Sequence, residues 1–309
     1  MKKENIFSPL RSQAFTYDGV FADAVSRVCE GTFKKINMTA LCDYFAQRAD
    51  QFATGEFWGK MMRGMCLIAT YKKDENLREI IENAAKEMMA LQDKDGDIST
   101  VPKEKQPRGT HGSDLWERKY VLMGLLAYYE LSGNEKALAC ARDLALYTAK
   151  QVGFSPKCSI YDTGWAFYGM ESASILEVIM RTFAYTGDDE LLAFGQYIID
   201  CGACGRENLF EAIRAGKSPY RIGEGASPKD SIAKAYEMTS CIEGLVAFYN
   251  ATGSEDALML AKSYWESVKA EEITLLGSGG ADKPHNLGPG IGEQWNRTAF
   301  EQTNPDISL

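Results

Sequence analysis

Two histidines, no long apolar run and no concentration of basic charge mark this 309-residue sequence by what it lacks. His111 and His285 stand far apart, so no histidine cluster offers a metal site. Lys and Arg number 34 against 43 Asp and Glu, a formal charge of −9. Phosphate backbones and anionic membrane surfaces are read by clustered Lys and Arg, so neither nucleic acid nor membrane is an expected partner. No stretch reaches the roughly 18 uninterrupted apolar residues that span a bilayer. The opening MKKENIFSPLRSQAF carries a basic pair without the roughly 7–15 apolar residues of a secretory signal. Eight cysteines, at 29, 42, 66, 140, 158, 201, 204 and 241, lack the dense spacing of a secreted disulfide scaffold. A reducing, cytoplasmic setting is the expectation.

What is present is a recurring helix pair, and 45% hydrophobic residues to fill a core. In DENLREIIENAAKEMMALQ the apolar positions Leu77, Ile80, Ile81, Ala84, Met88 and Leu91 fall at helical spacing. The preceding GEFWGKMMRGMCLIATYKK is apolar on most sides, as a helix buried between neighbours must be. The pair recurs as DLWERKYVLMGLLAYYELSG with NEKALACARDLALYTAK, as YGMESASILEVIMRTFAYTG with DDELLAFGQYIIDC, and as KAYEMTSCIEGLVAFYNATG with SEDALMLAKSYWESVKA. Gly133, Gly187 and Gly253 stand where a left-handed C-cap is needed, and Asn134, Asp188 and Ser254 can cap the helix that follows. An apolar first helix and a charged second one suit an all-α ring with first helices inside, an (α/α)6 toroid. About 10–11 helices are expected where such a ring needs twelve. The sequence thus reads as a single, incomplete toroid domain over 1–309, with a glycine-rich loop at 277–309.

Within this frame the loops entering the first helices carry the chemistry. Cys201 and Cys204 form a Cys-x-x-Cys with no second pair and no βαβ context, so they read as structural thiols. The glycine-rich tail has no Lys-Ser or Lys-Thr and follows no strand, so it is no phosphate loop. Carboxylates beside aromatics are the better signal. Cleaving a sugar needs one acid for the leaving oxygen, a second group for the anomeric carbon, and flat rings against the sugar face. The combinations are Glu56 with Trp58, Asp114 with Trp116, Asp162 with Trp165, and Glu293 with Trp295. Core packing and helix capping are the competing explanation, and Asp114 is a natural N-cap. Glu237 sits on a buried-looking helix, where a carboxylate must be paired or face a solvated cavity.

The ordered segments WERKYVLMGLLAYYELSGNEKAL, SILEVIMRTFAYTGDDELL, KAYEMTSCIEGLVAFYNATGSEDAL and ITLLGSGG with the later GEQW resemble the catalytic domain of glycoside hydrolase family 127, the β-L-arabinofuranosidase family. The resemblance runs along most of the chain. It implies an (α/α)6 barrel, usually followed by β-sandwich domains not found here, and retaining cleavage of a furanosidic bond in a small sugar or oligosaccharide. It also implies a zinc-bound cysteine nucleophile. Gly292-Glu293-Gln294-Trp295 resembles the acid/base motif, so Glu293 is the implied general acid. Asp114, Trp116, Trp165, Lys234, Glu237, Trp295 and His111 are the expected substrate contacts. Two departures stand out. The Glu-Thr-Cys that supplies zinc ligands is expected past Leu309, because Gln302 and Asn304 fall where ligands would be if Thr298–Asn304 is laid over that motif. No metal ligand is therefore assigned within the chain, and these 309 residues alone are expected to be inactive. Histidines of the characterised enzymes are also missing from SDLWERKY and KAYEMTSC, with Lys234 at one of those places. Two other readings stay open: a metal-free sugar enzyme of the unsaturated-uronyl-hydrolase or epimerase type, using Asp114, Asp162 or Glu237, and a non-catalytic sugar-binding remnant. The oligomeric state is left unassigned.

Overall fold

The computed structural model describes residues 16–165, 167–222, 233–271 and 273. Among them every regular element is helical and no strand occurs, as the sequence predicts. The helices are α1 (Val20–Val28), α2 (Met38–Ala46), α3 (Thr54–Lys72), α4 (Glu75–Ala90), α5 (Asp114–Ser132), α6 (Glu135–Gln151), α7 (Met170–Ala173), α8 (Leu176–Thr186), α9 (Asp189–Cys201), α10 (Leu209–Arg214), α11 (Ala235–Thr252) and α12 (Glu255–Glu271). None is long and apolar enough to cross a membrane. The chain divides into two compact units, one of residues Lys3–Val152 and one of Gly153–Leu309 with Met1–Lys2.

In the first unit, α3 with α4 and α5 with α6 are two consecutive hairpins whose first helices pack on each other. Glycine sets their separation. A Cβ on Gly59 would lie 1.9 Å from the Tyr120 carbonyl oxygen, and one on Gly55 would lie 2.7 Å from the Glu117 carboxylate. So close a backbone approach needs hydrogen in place of a side chain. It encloses Trp58, Met62, Met65, Leu115, Leu122 and Leu125 completely, each worth about 1.5–3 kcal/mol of transfer free energy. On the outer helix α4, Leu77, Ile81, Ala84 and Met88 are buried, while Ile80 and Leu91 are half-buried.

In the second unit the hairpins are α8 with α9 and α11 with α12, and α8 packs on α11. Gly244 is the close-approach residue here, since its Cβ would lie 2.7 Å from Leu176. The expected continuous helix from Tyr168 is broken. Tyr168 is left-handed at φ 52°, Gly169 has φ 85°, and the four-residue α7 precedes α8.

Hairpin turns follow the expected chemistry. Gly133, Gly187 and Gly253 have φ of 68°, 74° and 79°, and their N–H groups donate to Tyr129, Phe183 and Tyr249 carbonyls at 2.7–2.8 Å. That satisfies carbonyls the helix end would otherwise leave bare. Asn134 caps α6 by accepting from the Lys136 N–H at 3.0 Å, and Ser254 accepts from Ala257 at 3.4 Å. Asp188 holds the cap position of α9 without a side-chain cap bond.

Candidate functional site

Two buried clusters lie where α3 and α5 begin. The first centres on Asp114, expected as a substrate contact or an N-cap. Its side chain is wholly enclosed and clamped four residues along its own helix, Oδ2 accepting from Arg118 Nη2 at 2.6 Å and Oδ1 from Arg118 Nε at 3.2 Å. Ser99 Oγ donates to Oδ1 at 2.6 Å. The guanidinium, equally enclosed, also donates to Gln151 at 2.7 Å and Thr148 at 3.3 Å, and its Nη2 lies 3.9 Å from the buried Asp97. Burial pushes the Asp114 carboxyl above its ordinary range and the Arg118 charge opposes it. Both oxygens of this carboxylate are engaged by donors within the protein.

The second cluster contains the aromatics. The sequence pairs Glu56 with Trp58 and Asp114 with Trp116, but the structure pairs them differently. Trp58 is fully buried core, because residues two apart point to different faces of a helix. Trp116, on α5, donates its indole N–H to Glu56 Oε2 on α3 at 2.8 Å. Glu56 Oε1 holds Lys60 Nζ at 2.5 Å. The Trp116 and Tyr120 rings meet edge to face with centroids 5.1 Å apart. Lys119 Nζ lies 4.6 Å from the Trp116 centroid and 5.0 Å from that of Tyr120, and Lys60 Nζ lies 5.1 Å from Tyr120. Trp116 and Tyr120 are buried, whereas Glu56 and Lys60 keep part of their surface in solvent, 19% and 38% of the side chain. The cluster thus presents a carboxylate and an ammonium to solvent, with the two rings buried beneath them.

Beside Glu56, Glu117 is fully enclosed. Its carboxyl accepts the backbone N–H of Gly55 at the start of α3, where the helix leaves donors unpaired and its dipole, with the nearby Ala53 and Glu56 amides, favours the charged form. Burial outweighs these effects and pushes the carboxyl up to about 8, with the neighbouring Glu56 charge adding to the rise. Nothing in the sequence singled out Glu117. A carboxylate three residues into an apolar helix carries no local signal that another helix ends against it.

The other expected residues fall elsewhere. His111 is exposed, its ring edge-on to Phe52 at 6.4 Å. In the second unit, Lys234 and Glu237 are 8% and 4% exposed at the start of α11. Trp165 is half-buried after the short turn Ile160–Asp162, whose Asp162 is exposed. Glu293, Trp295 and His285 lie outside the described residues, as do the glycine-rich loop and Thr298–Asn304. Cys201 and Cys204 are free thiols. Cys204 is buried and accepts backbone N–H groups of Arg206 and Glu207, and the Tyr161 hydroxyl donates to the Cys201 carbonyl.

For zinc, the one candidate donor set among the described residues is Cys29, Glu30 and Asp74, whose ligand atoms lie within 4.8 Å of one another. It does not fit. Lys34 Nζ already stands 2.9 Å from Glu30 and 2.6 Å from Asp74, and Asp74 caps α4 through the Leu77 N–H at 2.9 Å. Burial also pushes the Cys29 thiol up, away from the thiolate that zinc binds.

The family model for the β-L-arabinofuranosidase GH127 catalytic domain matches residues 13–297. Among solved structures, a GH127 β-arabinofuranosidase superposes with a TM-score of 0.58 at 16% identity, covering 89% of this chain and 42% of the other. A GH127 β-L-arabinofuranosidase from Geobacillus stearothermophilus T6 gives 0.60 at 14% identity, covering 89% and 45%. A structure described as a glycoside hydrolase gives 0.59 at 15%, covering 91% and 42%. At such identities the likeness is one of fold, and the chain spans less than half the length of these relatives. No curated protein matches the chain.

Proposed function

The chain belongs to the GH127 β-L-arabinofuranosidase catalytic-domain family, and on that premise we propose that it is a sugar-binding glycosidase domain of (α/α)6 type, in which Glu293 is the general acid. The observation that carries this reading is the family match over 13–297, which takes in Gly292-Glu293-Gln294-Trp295. The described geometry supports it with a surface suited to a polyol. Glu56, part exposed and braced by the Trp116 indole N–H and Lys60, accepts hydroxyl hydrogen bonds. Trp116, buried behind it, fixes its orientation from within. In the second unit Lys234, Glu237, Trp165 and Trp295 are the proposed contacts, and in the first unit His111 is proposed separately.

Hydrolysis requires a proton on the departing oxygen and an attack at the anomeric carbon. Glu293 supplies the proton. The last cysteine in the sequence is Cys241, so no cysteine follows Glu293 to supply the thiolate the family resemblance implies. The 309-residue chain is therefore expected to bind a β-L-arabinofuranoside and to turn it over slowly if at all. Binding and nitrophenol release should be measured with 4-nitrophenyl β-L-arabinofuranoside for this chain and for Glu293→Gln. Saturable binding with slow release that falls further in Glu293→Gln supports the reading. Robust release retained in Glu293→Gln refutes the assignment of Glu293, and absence of any sugar binding refutes the function.

A further inference from the structure

Glu117 takes no part in the reading above, yet it is the one buried carboxyl that joins the two helices carrying Glu56 and Trp116. We propose that Glu117 is the positioning residue of this surface: its enclosed carboxyl ties the first turn of α3 to α5 and so fixes Glu56 against the Trp116 indole. The inference rests on the proposed function for its meaning, since it names what holds the proposed sugar contact in place.

Three observations carry it. The carboxyl accepts the backbone N–H of Gly55, the neighbour of the residue it positions. Gly55 leaves no room for a side chain there, because a Cβ would meet Glu117 Oε2 at 2.7 Å and the Glu117 carbonyl oxygen at 2.8 Å. The other oxygen, Oε1, is buried without a hydrogen-bond partner, so one edge of the carboxyl is committed to α3 while the other meets no acceptor or donor. Burial in an apolar helix junction disfavours the charged carboxylate more than the neutral acid.

The link is thereby proton-dependent. Besides Glu117, the charged groups on the two helices and the lead-in to α3 are Arg48, Asp50, Glu56, Lys60, Arg63 and Lys72 on one side and Asp114, Arg118, Lys119 and Glu130 on the other. Asp114 and Arg118 neutralise each other, Lys60 is paired with Glu56, and Asp50 is held by Lys105 and Thr110. Burial is the main force against ionisation of Glu117, and the Glu56 charge adds to it. When Glu117 loses its proton, two carboxylates stand against one helix turn and Glu56 moves from the indole.

The test is the Trp116 indole N–H resonance, assigned with Trp116→Phe and followed by nuclear magnetic resonance from about pH 6 to 9.5. In the wild type it should titrate with a midpoint near the raised value of about 8. Glu117→Gln, which keeps an acceptor for the α3 amides without a titrating proton, should hold the low-pH position throughout, and Glu117→Ala should displace the signal at every pH. Because either variant could fail to fold, the Gly55 amide in the wild type provides a second reading: it must titrate with the same midpoint as the indole. An indole that does not titrate, differing midpoints, or an unchanged titration in Glu117→Gln would overturn the proposal. Glu117→Ala should also weaken binding of 4-nitrophenyl β-L-arabinofuranoside about tenfold, with Glu117→Gln restoring most of it at neutral pH. If the wild type binds no sugar, the function falls and the resonances alone decide the positioning role.

Discussion

Replacing Arg118 with Met tests whether Asp114 serves the fold or the ligand. Both side chains are fully enclosed, and the pair is bidentate, with Ser99, Thr148 and Gln151 completing it. Removing one partner leaves a buried charge without its counter-charge, a loss of about 3–5 kcal/mol. For a domain of this size that corresponds to a fall in melting temperature of roughly 6–20 °C, at about 2–4 °C per kcal/mol. The measurement is urea denaturation of the wild type, Arg118→Met, Asp114→Leu and the double variant. Because the desolvation cost disappears when both charges go, the double variant should recover at least about 2 kcal/mol relative to the sum of the singles. A loss below about 1 kcal/mol in Arg118→Met, as for an exposed pair, would refute the reasoning, as would simple additivity. A sugar contact at Asp114 would show the opposite pattern, with Asp114→Asn lowering affinity at unchanged stability.

Three further outcomes follow from the geometry. Gly59→Ala forces its methyl into the Tyr120 carbonyl at 1.9 Å and should cost about 3 kcal/mol or more by overpacking. Gly187→Ala, with open space around it, meets only left-handed backbone strain of about 1–2 kcal/mol; equal losses at the two sites in thermal melts would contradict this distinction. Glu117 makes stability depend on pH with a definite sign. A carboxyl whose value rises from 4.5 to about 8 on folding binds its proton more tightly when folded. Its contribution is complete below pH 4.5 and is lost as pH rises through about 8. Denaturation midpoints should therefore fall less between these limits in Glu117→Gln than in the wild type, and parallel profiles would contradict the assignment. Asn208→Ala removes the acceptor that caps α10 at the Glu211 N–H, 2.9 Å away, and should cost about 1 kcal/mol.

The hairpins were legible in the sequence because their signals are local. A helical apolar period and a glycine one residue past the helix end identify α5, α8 and α11, and the observed φ values at Gly133, Gly187 and Gly253 agree. The turn after α3 escaped this reading because a lysine, Lys73, takes the left-handed position at φ 52°. The site was less legible for a related reason. Glu56 with Trp58 and Asp114 with Trp116 are close in sequence, but residues two apart on a helix diverge. The observed contact, Glu56 with Trp116, joins residues 60 positions apart and depends on how closely Gly55 and Gly59 let α3 approach α5. Glu117 opens the charged run Glu117-Arg118-Lys119 and looks like an ordinary surface charge there, since its partner is a backbone amide of another helix and leaves no side-chain pattern.

The account rests most directly on the affinity of the 309-residue chain for 4-nitrophenyl β-L-arabinofuranoside, measured by titration calorimetry for the wild type and Glu56→Gln at neutral pH. The expected result is saturable binding weakened about tenfold by the substitution, about 1.4 kcal/mol, with the denaturation midpoint unchanged. Equal affinity in the two proteins, or no heat of binding in either, would contradict it.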